Sequence, residues 1–454
     1  MKEDMVEKKG TNKLNEEIQE VVMRMKDGTK TAEGKPRRTM WFLTLDIIRS
    51  MGPNCANRGG DGSPKSVIFG GVPRIRWSAQ AIQFVCRWIL KNNPIVAEYF
   101  AAVRTREIAT LLKNVLLEMG TTKQDAATWA KELESVVFET KKTTEKKKTM
   151  KKEQDAKALE AAASAAAEVL STQVVDGEVM VSEEASPDDS ADATSDSGEK
   201  KVKDDRSLVF LSPSEVRLIA KQVVEKKGLI LGRKIKVVRK ELSDLLRGMP
   251  RIEDDFDRKL GGGMSANIEG LLNDAVMCIS HAVSTEECTS EIDYIAALDD
   301  LKRDEKGAAF LGQAEYSATV MHFTVVINVN ALFDESELGN DKKRLILSEI
   351  VKAYMMGIPA GRRNKMFSDT EAEFVMVHAW DGAPMSMVNA FHRPVSVRNG
   401  KTILDASREA LQSHSSKMVT SYGTALGVRE VSRYQFGADD ICEFSKKVAN
   451  EFIK

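Results

Sequence analysis

The chain has 454 residues, room for two to three structural units, with 67 Lys and Arg against 68 Asp and Glu. A net charge of −1 argues against nucleic-acid binding by bulk positive charge, while leaving local basic grooves open. Five cysteines form no CxxC pair and leave one over, which suits a reducing compartment and an expected cytoplasmic location.

Met1 to Lys9 is dense in charge and lacks the apolar core of a signal peptide. No run of about 18 apolar residues suggests a membrane span. Residues 1–39 read as an N-terminal arm, in which Leu14, Ile18, Val22 and Met25 fall at helical spacing. Such an arm either docks on a neighbouring subunit or frays. Met40 to Ile48 is apolar enough for a central strand, followed by a loop from Gly52 to Pro64 that carries four glycines. In Arg74-Ile75-Arg76-Trp77 the period of two puts both guanidiniums on one strand face. Ser78 then caps a helix that runs from Ala79 to Leu90. No acid occurs between Gly62 and Ala97, whereas Lys65, Arg74, Arg76, Arg87 and Lys91 are basic. Arginines feeding a helix N-terminus make a seat for an anionic backbone. Spacing alone equally describes an edge strand with solvated arginines, which is the commoner case.

Residues 99–138 read as helices, with Leu111, Leu112, Val115, Leu116 and Met119 on one face. From Lys141 to Lys152 the chain is Lys-rich, then Ala-rich, then Ser/Asp-rich from Glu183 to Glu199. Residues 141–206 are therefore expected to be a disordered insertion, too poor in apolar surface to offset the entropy of ordering. Ser212-Pro213-Ser214-Glu215 is a helix start, and Gly228 the matching stop. Asn273 to Val283 reads as a strand or short helix, Val320 to Asn330 as the clearest strand, and Lys342 to Met356 as a helix. Glu373 to Trp380 is a further strand, and Ile441, Phe444, Val448 and Phe452 mark a last helix.

Gly261-Gly262-Gly263 is no P-loop, because no Lys-Ser/Thr follows it. His281 with Glu286, Glu287 and Cys288 fits no zinc spacing. Neither a Gly-x-Ser-x-Gly elbow nor HExxH occurs, so no catalytic residue, metal or cofactor is expected. The acids Asp293, Asp299, Asp300, Asp304 and Glu305 are the most enzyme-like feature, yet among Lys302, Arg303 and Lys306 they read as a solvated hairpin. Gly361-Arg362-Arg363-Asn364-Lys365 is a second basic segment, inside an acid-free window from Ile350 to Ser368.

Asn57-Arg58, Lys65, Phe69-Gly70-Gly71, Arg74-Ile75-Arg76 and Ser78-Ala79-Gln80 together resemble the N-terminal signature of the CasC-type backbone subunit of type I-E CRISPR Cascade. Later segments keep that family's order, so the likeness covers most of residues 40–125 and 255–400. The resemblance implies an α+β fold: an RRM-like (ferredoxin-like) palm with a helical finger insertion and a protruding thumb hairpin. Its boundaries fall at 1–39 for the arm, 40–95 for the first palm part and 96–260 for the finger. A palm segment at 261–288, a thumb at 289–318 and a second palm part at 319–454 complete the division. It implies a non-catalytic subunit that stacks head to tail along CRISPR RNA, alongside other Cascade subunits, and presents the spacer to target DNA.

By the same resemblance, Lys65, Arg74, Arg76, Ser78, Gln80 and Arg87 match positions that contact RNA. Met264 matches a methionine near the kinked nucleotide, Ile295 and Leu311 match apolar thumb positions, and Arg362, Arg363 and Lys365 lie in a matching basic loop. Pro384 to Phe391 matches a late packing element. Gln83 and Phe84 stand where the family has Lys-Arg, and Gly263 where it has arginine, so several contacts must come from elsewhere. Two other readings stay open: a thumb-aspartate endoribonuclease using Asp293, Asp299 or Asp300, and a self-assembling structural protein without RNA.

Overall fold

The computed structural model describes residues 41–138, 208–228, 233–248, 256–263, 268, 274–297, 310–334, 336–397 and 400–454. The N-terminal arm, the insertion at 141–206, Met264, and the acids Asp299, Asp300, Asp304 and Glu305 lie outside these residues.

The described residues begin with β1 (Trp41–Asn54), the hairpin β2 (Ser66–Phe69) and β3 (Val72–Trp77), and α1 (Ala79–Asn92). A helical unit follows: β4 (Val103–Thr105), α2 (Ile108–Glu118), α3 (Lys123–Val137), β5 (Val209–Leu211), α4 (Pro213–Glu225) and α5 (Ile235–Arg247). Then come α6 (Phe256–Gly261), β6 (Met277–Ile279), β7 (Ala282–Ser284), β8 (Glu291–Ala297) and β9 (Phe310–Asn328). The remainder is α7 (Val329–Leu332), α8 (Asn340–Met356), β10 (Phe374–Asp381), α9 (Ile403–Leu426), β11 (Val428–Gln435) and α10 (Ile441–Phe452).

This is a mixed α+β fold built on an antiparallel sheet ordered β11-β10-β1-β9-β7-β3-β2, with β6 and β8 also paired to β9. Alternation along β1 explains its place at the centre. Leu43, Leu45 and Ile47 enter one core with α1, α8 and α10, while Ile48 enters the other, beneath α9. β1 outruns its expected end and continues to Asn54, with a register shift between Met51 and Asn54 where Gly52 and Pro53 sit.

The stretch expected as one strand or short helix at 273–283 is two strands. Ser280 separates them, its N–H donating to Thr324 O and its hydroxyl accepting from Thr324 N. Residues 103–105, expected to be helical, pair as β4 with β5. The helical unit has its own core of Ile108, Leu112, Leu133, Ile219, Leu242 and neighbours. Tyr99, Phe100, Phe256 and Leu260 belong instead to the main core, so α6 packs with the sheet rather than with this helical unit. Among the described residues no helix is long and apolar enough to cross a membrane.

Candidate nucleic-acid interface

β3 carries its two arginines on one face, as alternation requires, because Ile75 and Trp77 occupy the main core. Their surroundings differ. Arg74 is fully buried: Nη1 donates to Ser284 O at 2.8 Å, Nη2 donates to Phe391 O at 2.9 Å, and the guanidinium lies over the Phe69 ring. The lid is the segment around Phe391, against which the β2–β3 turn packs tightly. A Cβ on Gly70 would fall 1.8 Å from His392 O. Arg74, expected among the phosphate contacts, is therefore a structural cation that ties the Pro384–Phe391 region to the sheet.

Arg76 remains half-buried at the surface. Its Nη1 lies 3.4 Å from His281 Nδ1, which also accepts from Ala79 N at 3.0 Å. The ring thus caps the first turn of α1 beside Ser78, whose hydroxyl accepts from Ala81 N. Partial burial, then the nearby cations Arg76 and Lys65, pull the His281 pKa below its usual value. A neutral ring keeps Nδ1 available as an acceptor. In the sequence His281 stands out only beside residues that fit no zinc spacing; its place beside Arg76 comes from the break between β6 and β7. Its neighbour Glu286 turns away, accepting from Thr319 Oγ1 and Val320 N. Among the described residues no group of three or more His, Cys, Asp or Glu is placed to hold a metal ion.

The loop at 55–65 joins this site to the second basic segment. Asn57 Oδ1 accepts from Ser78 N at 2.7 Å, and Asn57 O accepts from Lys65 N. On the loop's other flank Gly361 N donates to Ala56 O at 2.9 Å. A Cβ on Gly361 would lie 2.6 Å from that oxygen, so only glycine permits the approach. Arg362 follows with φ of 50°, a left-handed conformation unusual for a residue with a Cβ, and brings Nη2 close to Gly62. Burial raises the Cys55 thiol pKa, and the fields of Arg362 and Arg58 oppose that rise, which puts both cations at this loop. Arg49 anchors the segment from behind, its buried guanidinium donating to Met355 O and Thr370 O at the two ends. Burial lowers its pKa to about 10, against the pull of nearby acids. The two acid-free windows of the sequence thus meet across one loop. Asp61 lies within that loop, and its carboxylate accepts from Ser63 N and Ser63 Oγ.

The other expected contacts divide. Gln80 and Lys365 are exposed. Arg87 is withdrawn: its Nε donates to both Asp257 oxygens at 2.7 and 2.8 Å, and its guanidinium lies over Phe210. A buried carboxylate holds this expected phosphate contact in an ion pair. Arg363 is exposed but pairs with Asp369 and stacks near Phe367.

β9 extends past the sheet to form a hairpin with β8. Ile295 pairs with Gly312 and Leu311 with Ala296, so Ile295 and Leu311 lie on opposite faces. Leu311 shares its face with Ile292 and Tyr294, and the three are 75%, 55% and 73% exposed. Of the two positions the sequence singles out, only Leu311 lies on this apolar face, and Ile292 and Tyr294 extend it.

A solved structure described as "CRISPR RNA-guided surveillance complex, pre-nicking" is similar in fold. The TM-score is 0.60 at 18% identity, over 91% of this chain and 99% of that one. Another, described as "CRISPR RNA-guided surveillance complex", gives a TM-score of 0.53 at 15% identity, over 90% and 99% of the two chains. No curated protein sequence matches at a significant level. A family model described as CT1975-like protein matches residues 43–449, and the chain therefore belongs to the CT1975-like family of Cas proteins.

Proposed function

We propose that the chain is a subunit of a CRISPR effector complex, and specifically the CRISPR RNA-binding backbone subunit of a type I-E Cascade. The observation that carries this reading is that Arg76 and His281 at the first turn of α1 are joined through Asn57 to the loop that carries Arg58 and Lys65 and that Arg362 approaches at Gly62. Cations gathered at a shared loop grip a phosphate backbone without reading bases, as a scaffold for arbitrary spacers must. Family membership and the surveillance-complex folds support the same assignment. The sheet order β10-β1-β9-β7, with α1 and α8 on one face, supports an RRM-like palm. The β8–β9 hairpin serves as its thumb. Tyr294 and Leu311 wedge against a base and unstack it, as inserted apolar side chains do elsewhere. Copies stack head to tail, avidity offsets the weak grip of one subunit, and the chain itself cuts nothing.

The test is co-expression with a CRISPR RNA, followed by low-salt purification and sizing of the protected RNA. Protection that grows in fixed steps supports the scaffold. RNA cut at those same intervals, and rescued by Asp293→Ala, would favour the nuclease. A filament free of nucleic acid would favour the structural protein.

A further inference from the structure

The segment from Gly361 to Thr370 is fixed at both ends. Gly361 N donates to Ala56 O, and Thr370 Oγ1 donates to Ser50 O at 2.6 Å. Between these anchors Lys365 N and Met366 N both donate to Arg362 O, so the chain makes a single helical turn. Helical spacing puts Arg363 and Phe367, four residues apart, on one side, and the guanidinium carbon lies 5.8 Å from the ring centroid. Phe367 is 73% exposed, although Met366 and Ser368 on either side of it are half-buried. A backbone held at both ends thus presents a phenyl ring to solvent, with a cation at the ring and most of its surface open.

The charges around the ring decide what it can meet. Arg363 is taken up by Asp369, so it steadies the ring and is no phosphate ligand. Arg362 and Lys365, on the same turn, form no ion pair among the described residues. Arg362 also reaches Gly62, on the loop that carries Arg58. An apolar protein surface that covered the ring would have to strip water from these unpaired cations as well. A single strand of nucleic acid satisfies both features, with a base on the ring and phosphates on the cations.

We infer that Phe367 stacks on an unpaired base of single-stranded RNA, while Arg362 and Lys365 hold the adjoining phosphates. This inference rests on the RNA-binding reading above and adds a base contact to it. The cluster at Arg76 grips phosphates alone, whereas the ring engages the plane of a base. Every base has a π-face, so the contact is tolerant of sequence. Bases within a duplex are already stacked on their neighbours, so the site selects single strands.

The test titrates the full-length chain in low salt against a fluorescent single-stranded RNA and against an abasic strand of the same length. Phe367→Ala and Phe367→Leu should each bind the base-bearing strand at least about fivefold more weakly than the parent, and the abasic strand equally well. Phe367→Trp should keep the parent's affinity for both. The salt slope of Phe367→Ala should match the parent's, because a phenyl ring releases no counterions. Its melting temperature should also match, because the ring is exposed. Unchanged binding of the base-bearing strand by Phe367→Ala, or an equal loss on both strands, would overturn the stacking and leave the phosphate grip standing. Full affinity in Phe367→Leu would show a generic apolar contact and overturn it too. Loss of self-association in Phe367→Ala, with RNA binding intact, would assign the ring to a second copy and overturn it. A parent that binds neither strand would overturn this inference together with the RNA-binding reading.

Discussion

Arg76 and His281 meet at the first turn of α1, with Nη1 3.4 Å from Nδ1, whereas Arg74 on the same strand face is sealed beneath Phe391. Two arginines one residue apart therefore perform different work. One holds the fold together and the other stands half-buried at the surface.

Removing Arg74 should accordingly cost stability and leave RNA affinity per folded molecule unchanged. Arg74→Ala leaves the carbonyls of Ser284 and Phe391 without their donor and opens a void beside Phe69. The expected loss is about 2–4 kcal/mol, measured by urea unfolding. A variant as stable as the parent would show that the buried contacts carry no weight.

The β8–β9 hairpin behaves in the opposite way to Arg74. Tyr294 and Leu311 are exposed on one hairpin face, so Tyr294→Ala with Leu311→Ala should change stability by no more than about 0.5 kcal/mol. Chemical probing of bound RNA should lose its periodic pattern of reactive nucleotides. Ile295→Ala, on the other face, should spare the pattern.

Acid stability reports on a buried polar network between the sheet and α9. Asp46 Oδ1 accepts from Thr324 Oγ1 at 2.7 Å and lies 3.2 Å from His322 Nε2, while His378 Nδ1 is 3.6 Å from Oδ2 and His378 Nε2 meets Ser415 Oγ at 2.7 Å. Burial alone would raise the Asp46 pKa. The two histidines outweigh burial and hold it at about 2, below the ordinary 3.8. A depressed carboxyl pKa stabilises the fold fully above the unfolded value, and that stability disappears as pH falls through the folded one. About 2 kcal/mol should thus be lost between roughly pH 4 and pH 2, and Asp46→Asn should remove that step from the difference curve. An identical acid profile in both proteins would count against the network.

Much of this architecture is legible in residue order, where one local rule acts alone. Alternation in 74–77 sets the face of each arginine, and Ser212 with Glu215 forms the capping box that the spacing foretells. Illegible are the parts set by distant partners. The burial of Arg74 depends on Phe391, and the withdrawal of Arg87 depends on Asp257. α9 escapes notice because two of its inward positions are Ser407 and Ser415, so no apolar period betrays the helix. His281 comes beside Arg76 only through the break between two strands that pair with β9.

The most direct test of the central claim is the salt dependence of single-stranded RNA binding by the parent and by Arg76→Ala. If Arg76 grips a phosphate, the slope of log K against log salt should fall by about 0.7. Affinity should drop with it, while the melting temperature stays unchanged. An unaltered slope and affinity in a folded Arg76→Ala protein would contradict the assignment of this cluster as the RNA seat.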